Sequence, residues 1–240
     1  MGYVSHRVAG VQVANEPGAL LPTIKKHPPI LQTIPKKLPN KKLTISSFPH
    51  LTAAAAFIIF NPTFWNTAAR SEYRSKTLTR LAGNNAYRGC YALAVTIFLL
   101  GLARDAVYER ALRSQPTHPA LLTPLSQGLA VGLLLSGNTL VLTSMWALGV
   151  TGTYLGDYFG ILMDEMVTGF PFSVSSAPMY HGSTLSFLGT ALWFGKPAGV
   201  LLTGLVFAVY SVALRFEDPF TAEIYAKRER EAKKGGKKGL

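Results

Sequence analysis

Gly128-Leu-Ala-Val-Gly-Leu-Leu-Leu-Ser-Gly-Asn-Thr-Leu-Val-Leu-Thr-Ser-Met-Trp-Ala-Leu-Gly-Val150 decides the fold class. It is the apolar core of a longer stretch, Ser114 to Gly156, that contains no Asp, Glu, Lys or Arg. Crossing the hydrocarbon of a bilayer takes about 20 apolar residues in a helix, and this run meets that length. It is the clearest spanning segment in the chain.

Working outward, three further uncharged stretches appear. Downstream, Met166 to Gly195 is followed by Lys196 and then the apolar run Pro197 to Leu214. A lysine at the bilayer centre costs about 2.5–3.5 kcal/mol on insertion scales. Gly195-Lys196-Pro197-Ala198-Gly199 has the composition of a turn. Residues 183–214 therefore read as a helical hairpin with its turn near an interface. Upstream, Gly89 to Ala103 lies between Arg88 and Arg104, whose long stems reach opposite interfaces. The first stretch, Leu43 to Ala69, is interrupted by Asn61-Pro62, which predicts a segment that dips into the membrane rather than crossing it. The expected fold is an all-α polytopic membrane protein, with about four to five membrane helices and a C-terminal helical hairpin.

Composition agrees. Of 240 residues, 48% are hydrophobic and 15% charged, against about 25% charged in ordinary soluble proteins. Most of the net charge of +12 sits at the ends. Residues 1–47 hold seven Lys/Arg against Glu16, and residues 226–240 hold seven against two acids. Basic ends flanking an apolar body suit anionic lipid headgroups and argue against nucleic acid as a partner. Three regions follow: a basic, Pro/Lys-rich disordered tail (1–47), a membrane domain (48–225) and a basic cytosolic tail (226–240). Residues 1–47 lack the apolar h-region of a secretory signal. Cys90, the sole cysteine, rules out intrachain disulfides and Cys-based zinc sites and reads as a packed small hydrophobe. There is no GxxxxGK[ST], HExxH or GxSxG and no metal cluster, so hydrolase, ATPase and metalloenzyme chemistry have no support.

Several polar residues stand out in this background. Glu217-Asp218 follow the last apolar run and precede Pro219, which is expected to end or bend the helix. Adjacent acids near a helix C-terminus oppose the macrodipole. Either they pair with Arg215 or are solvated at the interface, or they form a carboxylate clamp for a cation or for ribose hydroxyls. Asp157 and Tyr158 sit at the exit of the clearest span, among glycines at 149, 152, 156 and 160 that suit close helix packing. Pro178-Met-Tyr-His-Gly182 reads as a short polar turn; His181 there is either a general base or an ordinary hydrogen-bonding residue. Asn138, inside the span, is helix–helix glue or part of a ligand cavity. Residues 151–182 carry no Lys or Arg, which by the positive-inside rule makes them lumenal. A hairpin over 183–214 instead puts them on the side of the basic tail.

The runs Phe60–Asn66, Gly149–Leu162, Gly169–Phe172, Pro178–Thr184 and Phe216–Tyr225 together resemble the phosphatidylethanolamine N-methyltransferases. Within that family they resemble most the small fungal phosphatidyl-N-methylethanolamine N-methyltransferases, also called phospholipid methyltransferases. The likeness covers about residues 50–232; residues 1–47 have no recognised counterpart. It implies an endoplasmic reticulum membrane enzyme that carries methyl groups from S-adenosylmethionine onto ethanolamine phospholipids, yielding phosphatidylcholine. The family's donor-binding motifs are a Gly-x-Gly in a membrane helix and an adjacent Glu-Glu. The first falls on Leu135-Ser136-Gly137, where only Gly137 matches; the second falls on Glu217-Asp218, with Asp in place of one Glu. The wider group's Arg-His-Pro-x-Tyr-x-Gly element matches at Pro178, Tyr180 and Gly182, while Ser176 and Ala177 replace the basic pair.

Methyl transfer from a sulfonium to an amine needs a neutral lone pair, an in-line methyl and no metal, so positioning supplies most of the acceleration. The resemblance implies Leu135, Ser136, Gly137, Glu217 and Asp218 at the donor; the chemistry of a cationic donor adds the ring of Tyr158 or Tyr180, and that of an ammonium acceptor adds Asp157 or His181 to take its proton through water. A water-soluble donor and a lipid acceptor meet at the cytosolic interface. That favours the hairpin over the positive-inside count. Two other readings stay open: methylation of another membrane acceptor such as isoprenylcysteine, and a non-enzymatic packing or lipid-binding protein.

Overall fold

The computed structural model describes residues 48–164 and 167–236. The expected tail, 1–47, lies outside them. Six α-helices follow in order: α1 (Phe48–Ser75), α2 (Thr77–Leu81), α3 (Ala86–Ser114), α4 (Pro124–Thr153), α5 (Pro178–Trp193) and α6 (Pro197–Gly236). No strand occurs among the described residues. Among the described residues, three segments are long and apolar enough to cross a membrane: Ala86–Ser114, Pro124–Phe159 and Pro197–Lys233. Their outer faces carry large apolar side chains with no protein against them, including Trp146 (91% exposed) and Leu201 (78% exposed). Such a belt suits lipid and would be a liability in water.

Local chemistry starts the helices where the sequence punctuates them. Asn85 caps α3 by accepting from the Arg88 N–H, and Thr123 caps α4 by accepting from the Ser126 N–H, with Pro124 at the first helical position. Gly149, at φ +64°, interrupts the last turns of α4 with a conformation that favours glycine. A five-residue helix, α2, has no cap from Lys76; the fully buried Glu72 carboxylate serves instead, accepting from Leu78 N, Thr79 N and Thr79 Oγ1.

The expected hairpin is present. Helix α5 returns into α6 through Gly195, at φ +62°, and Lys196, whose amide donates to Ala191 O. The Lys196 ammonium donates to Gln115 O at 2.6 Å, pinning the turn to the segment that follows α3. Helix α5 also packs along α4 through small residues: a Cβ on Gly137 would lie 2.5 Å from Gly182 O, and one on Gly189 would lie 2.8 Å from Leu134 Cγ. Inside, Ala54, Ile58, Tyr108, Leu112, Phe187, Leu202 and Val206 form one core that joins α1, α3, α5 and α6. Cys90 is buried, as a packed hydrophobe should be.

Three local expectations are corrected. Helix α1 is not broken at Asn61-Pro62 but runs 28 residues through Pro62. One missing N–H is tolerated because neighbouring helices hold both halves: before the proline Asn61 Nδ2 donates to Leu100 O on α3, and after it Trp65 and Asn66 donate to Glu217 on α6. Pro178–Gly182 is not a turn but the first turn of α5, since proline at the first helical position lacks only an N–H that would be unpaired anyway. Pro219 does not end the last helix; α6 is 40 residues long and continues through it to Gly236.

Contacts settle which ends of the helices meet. Tyr225 OH accepts from Met163 N, and Arg228 donates to Met163 O at 2.8 Å. The segment after α4 and the C-terminal part of α6 therefore share one end of the bundle, opposite the Lys196 turn. This is the arrangement the hairpin argument required.

Candidate active site

Glu217 is the centre of the site. It lies twenty-one residues along α6 from Lys196, about 31 Å of helix at 1.5 Å per residue, which is one hydrocarbon thickness. Three side chains from two other helices donate to its carboxylate. Trp65 Nε1 reaches Oε1 at 2.9 Å, Asn66 Nδ2 reaches the same oxygen at 2.6 Å, and Tyr180 OH reaches Oε2 at 2.5 Å. Every donor is neutral. Among the described residues no Lys, Arg or His forms an ion pair with Glu217, so the Arg215 pairing considered from sequence does not form. A half-buried carboxylate held by neutral donors has no counter-charge among its hydrogen-bond partners. Such a position attracts a cation.

Each donor is itself held. The other Asn66 N–H goes to Pro62 O at 3.0 Å. Tyr180 stands in the first turn of α5, before the apolar run of the hairpin, edge-on to Tyr210 with ring centres 4.8 Å apart. Burial, and then the Glu217 charge, push the Tyr180 hydroxyl well above its ordinary range, so it remains a donor. Tyr210 OH accepts from Arg104 at 2.5 Å and lies 3.3 Å from Ser183 Oγ.

One turn further along α6, Thr221 Oγ1 donates to Asp157 Oδ2 at 3.1 Å. Glu217, Thr221, Tyr225 and Arg228 recur every three or four residues, so one stripe of α6 carries all these contacts. The 3-10 turn Gly156–Phe159 brings in Asp157 and buries Tyr158, whose ring stacks on Phe220 at 5.0 Å. The Arg70 guanidinium also lies 4.6 Å from the Phe220 ring centre and donates to Phe216 O at 2.8 Å.

Of the residues expected at the site, Tyr180 and Glu217 touch, and Asp157 is held by Thr221 one turn further along α6. Asp218 is exposed. His181 is also exposed; its Nδ1 lies 2.6 Å from Ser175 Oγ, which in turn accepts from Ala177 N, a lock on the start of α5. Gly137 is buried against α5, Ser136 Oγ donates to Gly132 O, and Leu135 is 66% exposed on the outer face of α4. Their contacts are those of helix packing and of a lipid-facing surface. Asn138 likewise donates to Leu134 O within its own helix. Sequence reasoning missed Trp65, Asn66, Arg70 and Thr221. The available signal was the aromatic and amide pair Trp65-Asn66 in an otherwise apolar stretch.

Comparison with known proteins gives the family. The family model described as phospholipid methyltransferase matches residues 125–228. The chain is 65% identical over 184 residues to the phosphatidyl-N-methylethanolamine N-methyltransferase of Neurospora crassa, covering 77% of this chain and 86% of that one. It is 58% identical over 175 residues to the Saccharomyces cerevisiae protein of the same name, covering 73% and 84%. To the Homo sapiens phosphatidylethanolamine N-methyltransferase it is 48% identical over 180 residues, covering 75% and 90%. No solved structure matches the chain. With identity this high over most of each relative, and a fixed carboxylate where the resemblance put a donor-binding acid, the chain belongs to the phospholipid methyltransferase family.

Proposed function

We propose that the chain is an S-adenosylmethionine-dependent phospholipid N-methyltransferase of the endoplasmic reticulum membrane. It converts monomethyl- and dimethyl-phosphatidylethanolamine to phosphatidylcholine, and its site faces the cytosol. The observation that carries this reading is the Glu217 carboxylate with its three neutral donors and no cation of its own. The fungal relatives named for the monomethyl lipid support the choice of acceptor.

The donor set fits a cationic methyl donor: a carboxylate with only neutral hydrogen-bond partners, with the Trp65 and Tyr180 rings, 6.5 Å apart, beside it. When bound, S-adenosylmethionine supplies a sulfonium methyl that an amine lone pair takes as the carbon–sulfur bond breaks and its electron pair stays on sulfur. Glu217 holds positive charge at the site, and Tyr180 and Trp65 keep its carboxylate from turning away. Asp157, held by Thr221, is placed to receive the ammonium proton of the acceptor through water, freeing the lone pair. His181 is a second candidate for that proton. Asp218 and the Leu135-Ser136-Gly137 segment are further donor contacts by resemblance. Among the described residues no group of His, Cys, Asp and Glu has the arrangement of a metal site.

The test is methyl incorporation from labelled S-adenosylmethionine into membranes containing this chain, with each of the three ethanolamine lipids supplied separately. Label with the monomethyl and dimethyl lipids is expected. Label with unmethylated phosphatidylethanolamine as well would broaden the substrate range. No label in any lipid would overturn the assignment.

A further inference from the structure

A groove of about 420 Å³ runs between α1 and α6 and opens on the outer surface. Its lower walls are apolar: Ile59 on α1, and Ala208, Val209, Val212 and Phe216 on α6. Its upper end is not. Asn66 and Arg70 lie on the same α1 face as Ile59, at offsets of seven and eleven residues. From Ile59 to Arg70 is about 16 Å along the helix, close to half of a 30 Å hydrocarbon core. The groove thus has the depth of one leaflet, greasy at the bottom and cationic at the top.

The polar end also meets the site. Asn66 both lines the groove and donates to Glu217, while Arg70 is bound to the carbonyl of Phe216, the residue before Glu217. Arg70 forms no ion pair with a carboxylate among the described residues, and one donation to Phe216 O leaves most of its five N–H groups available. A guanidinium with unused donors at interface depth is complementary to a phosphodiester. The buried Asn66 Oδ1 has no hydrogen-bond partner among the described residues and suits an N–H donor.

We propose that this groove seats the acceptor phospholipid. One acyl chain lies along α6, the phosphodiester rests on Arg70, and the amino group passes Asn66 to reach Glu217. The inference rests on the phospholipid-methylating reading and adds to it the path by which the lipid arrives: sideways from the bilayer, between α1 and α6.

Three variants and one direct measurement test it, with rates measured in vesicles at varied mole fractions of dimethyl-phosphatidylethanolamine. Arg70→Gln is expected to raise the lipid KM about tenfold or more, with the KM for S-adenosylmethionine changed less than about twofold; Arg70→Lys is expected to recover part of the loss. Ala208→Trp, which fills the groove from its exposed wall, is expected to raise the lipid KM in the same way. Lipid KM values within about twofold of wild type in both Arg70→Gln and Ala208→Trp would overturn the seat while leaving the activity assignment intact. A wild-type protein inactive on all three lipids would instead overturn the assignment itself. The direct measurement uses the wild-type chain and dimethyl-phosphatidylethanolamine with a photoreactive acyl chain. Cross-links in residues 59–70 and 208–216, competed by unlabelled acceptor but not by phosphatidylglycerol, support the seat. Cross-links that fall elsewhere, or that phosphatidylglycerol competes equally, overturn it.

Discussion

At the scale of single residues, the site depends on one charge. Glu217→Gln keeps the size of the side chain but removes the charge and turns one acceptor into a donor facing N–H groups. Loss of a charge-assisted hydrogen-bond set is worth about 1.5–3 kcal/mol, or roughly ten- to hundredfold in kcat/KM at about 1.4 kcal/mol per tenfold. A fall of that size is expected when the donor concentration is varied, and an unchanged kcat/KM would make Glu217 a structural residue only. Asp218→Asn is the comparison: it is expected to lose less, because Asp218 is exposed and Glu217 is held by three donors. The sequence marked Glu217 as unusual because two acids followed an apolar run. It did not mark Trp65 and Asn66, since their partner lies about 150 positions away and no local spacing encodes such a meeting.

At the scale of elements, hydropathy and turn composition placed the hairpin and the clearest span well, because both are properties of contiguous sequence. They failed at prolines. In sequence Pro62, Pro178 and Pro219 read as breaks, bends or turns, but each sits inside or at the first residue of a helix. Helix contact also bears on Gly137. Its absent Cβ would meet Gly182 O at 2.5 Å and Ser186 Oγ at 2.6 Å, so Gly137→Ala must push α5 from α4. Overpacking of this kind costs about 1–3 kcal/mol. A lowered thermal midpoint in detergent, with a raised KM for S-adenosylmethionine because Gly137 belongs to the proposed donor contacts, is the expected result. A lowered midpoint with an unchanged donor KM would reduce Gly137 to helix packing alone.

At the scale of the whole molecule, the conflict between charge counting and the hairpin is resolved by contact. The segment after α4 and the distal part of α6 meet at one end through Met163, Tyr225 and Arg228. Charge counting failed because residues 151–182 lack Lys and Arg yet are tied to a helix end that is rich in them. In a Cys90→Ala background, single cysteines at Gly169 and Glu229 are expected to react with an impermeant maleimide from the same face of sealed vesicles. A cysteine at Thr117, beyond α3, is expected to react only from the other. Labelling of Gly169 and Glu229 from opposite faces would refute the arrangement.

Helix α6 runs without interruption from the anchored Lys196 turn past Glu217 to Arg228. The height of the reactive carboxylate above the far surface is therefore written as a number of residues in a single rod, with no joint to take up slack. The protein carries its own ruler. Where the surrounding bilayer is thicker or thinner than the ruler, the rod must lean or the lipids must adjust around it. Membrane thickness then becomes a setting that moves acceptor headgroups up or down against a carboxylate whose level does not change.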